Sequence, residues 1–286
     1  MDDGAVAVWV KHQLAADAMR QVLPLLDAHG IDVLPVKGIV LAYRLYPSIE
    51  NRPMADVDVR VRPRDLGRVA RLARGAGWSV RTTSRQLGTL EFNVSKTLVE
   101  VETTIGPPGV CKLSVDEMLR RSRWCTGALA VRHREPEIND HALLLCINAF
   151  KDKLVLAPPW ARQDLLRIAR LPEFSITLLA KRAQQARVCT LLSIVAEWLS
   201  TAPDSENWRR VADRVRPMAR RGYAILYSSL VRQAPASPIL SVVARAASDS
   251  LIERCRAVAL GSVGTFLALR RGRDHLSFDA SGGRSP

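Results

Sequence analysis

The chain has 286 residues, of which 48% are hydrophobic and 24% charged, and its mean hydropathy is +0.00. This balance is typical of a folded globular protein and excludes a disordered, collagen-like or disulfide-scaffold chain. No run of about 18 apolar residues predicts a membrane span, and the acidic start of the chain lacks the basic region of a secretory signal. We therefore expect a cytoplasmic protein that does not associate with a membrane.

The net charge of +14 indicates a polyanionic partner such as a nucleotide, RNA, DNA or an anionic membrane surface. Of the 42 basic residues 35 are arginine, and this bias is equally typical of a solvated surface shaped by compositional background. The five cysteines form no CxxC pair, and the five histidines are scattered. Their spacing therefore indicates ordinary thiols and predicts no zinc or histidine metal site.

The first half of the chain alternates helical and strand-like segments. An apolar stripe predicts a helix over residues 9–29 that ends at Gly30. Strict alternation makes residues 56–61 the clearest strand, and a helix led by Pro63 follows it. The other predicted elements are a strand over 31–36, a helix over 39–45, a hairpin of strands over 90–94 and 98–103, a short helix with a Ser114/Glu117 capping box, and a strand over 129–132.

From about residue 139 onward the predicted elements are all helical, over residues 141–153, 160–169, 176–187 and 191–199. The sequence therefore predicts an α+β protein with two domains. A small mixed-sheet domain with an N-terminal helix would cover residues 1–135, and an all-helical domain would cover 136–273. Residues 274–286 have the composition of a disordered tail.

Two carboxylates stand out on the clearest strand. Asp56 and Asp58 are two positions apart, so their side chains project from one face, about 7 Å apart at the backbone, while the alternate valines face the core. Close carboxylates repel each other and resist burial unless a cation neutralises them. Hard oxygen ligands suit Mg²⁺ or Mn²⁺, so the pair indicates a metal site; a solvated strand end is the alternative.

Two other motifs strengthen this interpretation. Glu100 and Glu102 repeat the pattern on a later strand, and pairing of the two strands would bring a third carboxylate to a two-metal site for phosphoryl transfer. Upstream, Lys37-Gly38 joins a strand to a helix and offers a glycine and a helix N-terminus to a phosphate group. An ordinary turn is the alternative for this second motif.

The order of these motifs resembles the uncharacterised nucleotidyltransferases of the polymerase-beta superfamily. The similarity is to the branch with an L-K-G…R-P-M-x-D-[IV]-D pattern, related more distantly to abortive-infection and toxin nucleotidyltransferases. It is specific over residues 31–80 and looser to about residue 170. The residues that carry it are Lys37-Gly38, Tyr46-Pro47, the run 52–58, Pro63 and Gly77-Trp78.

The resemblance implies a small mixed-sheet nucleotidyltransferase domain that transfers a nucleotide from an NTP held with Mg²⁺ or Mn²⁺. Asp56 and Asp58 would be metal ligands and catalytic residues. Glu100 would supply the third carboxylate in place of the family's aspartate, although Glu102 shares its face and stays an alternative.

The same resemblance implies the nucleotide-binding residues. Lys37 and Gly38 would hold the triphosphate with help from Arg52. Lys153 and Asp164 occupy the places of a triphosphate-binding lysine and a supporting aspartate, although both are also ordinary on a helix surface.

The leading hypothesis is an enzyme that moves an NMP unit from an NTP to a hydroxyl-type acceptor and releases pyrophosphate. The alternatives are a non-catalytic RNA-binding module that kept the fold, and a toxin- or defence-type enzyme that modifies a tRNA or a protein. RNA would be favoured as acceptor over a protein, a peptide or a small molecule if arginine segments lined the groove outside the metal site. These segments are Arg64/Arg68/Arg71/Arg74, Arg120/Arg121/Arg123 and the arginines of 209–221. The preferred NTP, the acceptor and the oligomeric state are left open by the sequence.

Overall fold

The computed structural model describes residues 3–84, 88–106, 109–127, 129–151 and 157–219, with the single positions 154, 224, 248, 249 and 255. Lys153, the predicted tail over 274–286 and most of residues 220–273 lie outside the described residues. Within the described part of the chain, no helix is both long and apolar enough to cross a membrane.

A mixed sheet forms the centre of the first half. Its five strands are ordered β1-β2-β5-β4-β3; β2 and β5 are parallel and the other neighbours are antiparallel. A separate two-stranded ribbon pairs β6 with β7. The strands are β1 (Leu34–Val36), β2 (Asp56–Arg60), β3 (Ser79–Ser84), β4 (Thr89–Val94), β5 (Thr97–Glu102), β6 (Arg123–Cys125) and β7 (His133–Glu135).

Helices precede, interrupt and follow the sheet, which confirms the α+β class. The described helices are α1 (Asp3–Ala28), α2 (Gly38–Leu45), α3 (Leu66–Gly75), α4 (Val115–Arg121), α5 (Ile138–Lys151), α6 (Pro159–Ile168), α7 (Ile176–Gln185), α8 (Cys189–Ser200) and α9 (Glu206–Val215). The predicted capping box is present on α4: the Glu117 N–H donates to the Ser114 hydroxyl, and the Glu117 carboxylate accepts from the Ser114 N–H.

One face of the sheet is apolar and is covered by α1 and α3. Alternation turns Val57 and Val59 of β2 inward, together with Val99 and Val101 of β5, and all four are fully buried. They pack against the buried sides of α1 and α3 in one cluster. The opposite face of the same strands is therefore the one that carries the charged side chains.

A second apolar cluster joins β1 and α2 to helices α4–α9. Within it the Trp208 indole packs on Phe174 at 5.8 Å and donates its Nε1–H to the Leu165 carbonyl at 2.8 Å. Helix α5 is buried along almost its whole length. The division of the chain into domains at residue 135 stays a prediction.

One predicted strand is wrong. Residues 129–132 form a turn, in which Ala130 adopts a positive φ of 52° and donates its N–H to the Gly127 carbonyl at 3.2 Å. The strand begins only at His133 and belongs to the β6–β7 ribbon. The apolar run was misleading because Leu129 is buried by packing under the sheet cluster rather than by strand pairing.

Candidate active site

Three carboxylates meet on the charged face of the sheet. Asp56 and Asp58 lie on β2, and the parallel strand β5 places Glu100 directly opposite Asp58. Directly opposite residues on paired strands point to the same side, at about 5 Å between Cβ atoms. The pairing of β2 with β5 therefore brings Glu100 to the two aspartates.

The same register separates the two glutamates that the sequence left as alternatives. Glu102 lies opposite Arg60, and the two side chains form an ion pair. Arg60 is fully buried, so Glu102 is committed to neutralising a guanidinium that cannot reach water. Glu100, two residues before Glu102, lies opposite Asp58 instead. This position favours Glu100 as the third carboxylate of the site.

The raised pKa values of Asp56 and Glu100 indicate that a bound cation would stabilise the charged form of these carboxylates. Burial raises the pKa of Asp56, and the neighbouring Asp58 raises it further. Burial, followed by repulsion from Asp58 and Glu102, raises the pKa of Glu100 to about 7. Carboxylates that the fold holds close together despite their mutual repulsion are typical of functional sites. Their hard oxygens fit Mg²⁺ or Mn²⁺.

Lys37 adopts a backbone conformation that is ordinary only for glycine. Its φ is 57° and its ψ −133°, and a non-glycine residue in such a region costs about 1–3 kcal/mol. The strained backbone brings the Nζ atom to 2.5 Å from Asp58 Oδ1 and lets the Lys37 N–H donate to His141 Nε2 at 3.1 Å. The fold therefore holds an ammonium group against the carboxylates.

Gly38 begins α2 at the edge of the same site. A Cβ at this position would lie 3.1 Å from the Met54 Cβ and 3.5 Å from an Arg52 guanidinium nitrogen. A glycine therefore allows the start of α2 to approach the chain that leads into β2. The N–H groups of this helix start are suited to a phosphate.

Arg52 is held rigidly beside the carboxylates. Its Nε and Nη2 atoms donate to Asp164 at 2.8–3.0 Å, and the Tyr46 hydroxyl donates to the same carboxylate at 2.7 Å. Burial and the Asp164 charge raise the pKa of Tyr46, so its hydroxyl stays a donor. Asp164 is 1% exposed, so it acts on the site through Arg52.

Most of these groups line one open cleft of about 240 Å³. Of the predicted site residues, the cleft brings together Lys37, Gly38, Arg52, Asp56, Asp58 and Asp164. Glu100 lies beside Asp58 on the neighbouring strand but is not among the residues that line the cleft. Sequence reasoning missed other lining residues, among them Met54, Asn148, Lys151 and Trp160.

Two of the missed residues have chemistry suited to a nucleotide. Lys151 lies two positions before the predicted Lys153 at the end of α5, and the Trp160 ring lies 5.7 Å from the Arg52 guanidinium carbon. The Lys-Asp-Lys run contained the signal for Lys151, whereas nothing in the sequence distinguishes Trp160 from a core tryptophan.

The arginine stripe of α3 does not line this cleft. Helix α3 packs on the apolar face of the sheet, and Arg68, Arg71 and Arg74 are exposed on its outer side. Arg64 is exposed in the short 3-10 turn that precedes α3. The carboxylates are on the opposite face. This stripe therefore does not meet the condition under which it would favour an RNA acceptor.

A carboxylate triad on paired strands, with basic side chains and a helix start nearby, is an arrangement typical of phosphoryl-transfer sites. The chain belongs to a family described as uncharacterised nucleotidyltransferase, whose sequence model matches residues 5–218. None of the curated proteins compared with the chain is similar to it in sequence.

Among solved structures, the chain is similar to the antibiotic-resistance factor ANT(2'')-Ia, whose solution structure reveals substrate-regulated conformation dynamics. The identity is 13% and the TM-score 0.41, over 74% of this chain and 94% of that one.

Proposed function

We propose that the protein is a Mg²⁺- or Mn²⁺-dependent nucleotidyltransferase that transfers an NMP unit from an NTP to a hydroxyl acceptor. The acceptor oxygen bonds to the α-phosphorus, the bond to the β-phosphate oxygen breaks, pyrophosphate leaves, and the hydroxyl proton passes to solvent. The proposal rests on the register of β2 and β5. This register places Glu100 beside Asp58 on the charged face of the sheet, while the other face of the same strands is apolar.

Each side chain has a role that follows from its position. Asp56, Asp58 and Glu100 would hold the metal through their oxygens. When bound, the metal would neutralise charge on the triphosphate and lower the pKa of the acceptor hydroxyl. Lys37 would move from Asp58 to a phosphate oxygen, because a metal at Asp58 supplies the positive charge that the ammonium now provides.

The remaining groups would orient the NTP. The start of α2 at Gly38 offers N–H groups to the phosphates, and Asp164 holds Arg52 in one orientation beside them. The Trp160 ring is flat, apolar and at the edge of the cleft, so it is suited to stack on the base. Lys151 adds positive charge at the same rim; the role predicted for Lys153 stays a prediction.

The experiment is a transfer assay with each of the four α-labelled NTPs in Mg²⁺, Mn²⁺ or EDTA. Pyrophosphate release is measured alongside labelling of total RNA, of the protein itself and of a small-molecule pool. These arms separate the acceptor classes, including the tRNA or protein target of a toxin- or defence-type enzyme.

The matched variants are Asp56→Asn and Asp58→Asn, with Asp213→Asn on α9 as the control because its side chain is 74% exposed. We expect both site variants to lose on the order of 10³-fold or more in turnover with an unchanged melting curve. Near-normal turnover in either one overturns the site assignment. Absence of pyrophosphate with every NTP, together with salt-sensitive tRNA binding, would favour the non-catalytic RNA-binding module instead.

A further inference from the structure

A second cluster of possible metal ligands lies in the β6–β7 ribbon. Cys125 is the direct cross-strand partner of His133, and Glu135 is two positions beyond His133. Cross-strand partners and residues two apart on a strand share a face. The three side chains therefore project together, on the face opposite Trp124.

The ligand atoms are close enough to share one ion. Cys125 Sγ lies 3.1 Å from His133 Nε2, and His133 Nε2 lies 3.9 Å from Glu135 Oε1. All three ligand atoms lie within 4.8 Å of one another. Zinc bonds of about 2.0–2.3 Å in a tetrahedron separate ligand atoms by about 3.3–3.6 Å. Side-chain rotations alone would close the remaining difference.

The atoms that do not face the cluster have other partners. His133 Nδ1 lies 2.8 Å from the Val131 carbonyl, which can only accept, so Nδ1 carries the proton and Nε2 presents a lone pair. Glu135 Oε2 accepts from Arg123 at 3.0 Å and is 3.5 Å from Arg44, which leaves Oε1 facing His133. Ligating histidines and carboxylates in metal sites are oriented by such outer contacts.

We propose that Cys125, His133 and Glu135 bind a zinc ion, with water in the fourth position. Thiolate, imidazole and carboxylate form a ligand set typical of zinc. The thiolate and carboxylate charges balance Zn²⁺, and binding releases one thiol proton to solvent. The spacing Cys-x₇-His-x-Glu places the ligands on two strands, so no closely spaced cysteine or histidine pair marks the site in the sequence.

The ion would stabilise the ribbon and its link to the active site. A two-stranded ribbon with three-residue strands is marginal without further support. Zinc joins its two strands directly. Because Glu135 also contacts Arg44 in the last turn of α2, the ion would fix the end of the helix whose start borders the carboxylates.

The test uses the full chain, stripped of metal and titrated with Zn²⁺ or Co²⁺. The variants are Cys125→Ser and Glu135→Gln, and Cys255→Ser is the control because Cys255 is exposed. We expect one zinc per chain, a rise in melting temperature with zinc, and a sulfur-to-cobalt absorption band in the wild type and the control. Cys125→Ser should lose the band and bind zinc on the order of 100-fold or more weakly.

Two further readouts make every outcome decisive. The sulfur-to-cobalt band separates this site from Asp56, Asp58 and Glu100, which have no sulfur ligand. If Cys125→Ser does not fold, alkylation of wild-type Cys125 followed by mass spectrometry replaces it, and zinc should protect the thiol. A band that persists in Cys125→Ser, zinc held by the acidic site alone, or an unprotected Cys125 overturns the proposal.

Discussion

Replacing Asp164 by asparagine should destabilise the fold rather than remove a ligand contact. Asp164 and Arg52 are 1% and 7% exposed at their side chains, and they are joined by an ion pair at 2.8 Å. Asparagine keeps an acceptor for Tyr46 but leaves the buried guanidinium uncompensated, at a cost of about 3–5 kcal/mol. At about 2–4 °C per kcal/mol for a domain of this size class, the melting temperature should fall by about 6–20 °C.

The assay is thermal and urea unfolding followed by circular dichroism in EDTA, so that bound metal does not contribute. The double variant Arg52→Met/Asp164→Leu is the matched control, because removing both charges leaves no uncompensated ion and should restore most of the loss. A melting temperature of Asp164→Asn within about 2 °C of wild type refutes the reasoning. If the KM for NTP then rises instead, Asp164 contacts the nucleotide directly.

Three more predictions follow from single contacts. Glu100→Gln should reduce turnover on the order of 100-fold or more without lowering the melting temperature. Glu102→Gln should keep normal turnover but lower the melting temperature, because Arg60 loses its partner. The reverse pattern would exchange the roles of the two glutamates. Lys37→Gly should be about 1 kcal/mol more stable than Lys37→Ala in urea, because both lose the ammonium but only glycine adopts a φ of 57° without strain; equal stabilities would contradict this. Burial, then the charges of Arg44 and Arg60, lowers the pKa of His141 to about 3, so the folded state excludes a proton that the unfolded chain binds below pH 6.5. As the pH falls from 6.5 towards 3, wild-type stability should fall by about 1.4 kcal/mol per unit more than that of His141→Asn, and parallel pH profiles would show that His141 titrates normally.

Most of the secondary structure was predictable because its signals are local. The alternation of residues 56–61 predicts both the buried valines of β2 and the aspartates on its opposite face, and the Ser114/Glu117 capping box predicts the start of α4. The prediction of a strand over residues 129–132 was wrong because it also relied on local signals alone. The apolar residues of this run carry a local strand signal, but a positive φ at Ala130 and burial under a distant cluster decide its structure.

The features of the site that the sequence left open or missed depend on long-range geometry. Glu100 and Glu102 share a face of one strand, so only the register with β2 assigns one to the carboxylates and the other to Arg60. Trp160 borders the cleft because of how α6 packs, and no motif in the sequence indicates this position. Local sequence patterns identify residues whose side chains could take part in the chemistry. The pairing of strands and helices then decides which of them reach the site.

The conformation of Lys37 depends on both local and long-range structure. In the sequence Lys37 precedes a glycine between a strand and a helix, and no local pattern indicates its backbone conformation. In the fold its backbone occupies a strained region, and two distant contacts, to Asp58 and to His141, hold it there. Strain of about 1–3 kcal/mol persists only where the surroundings over-determine the conformation. Because a glycine would relieve that strain but could not supply an ammonium group, the charge beside Asp58 is the physical reason for a lysine at this turn.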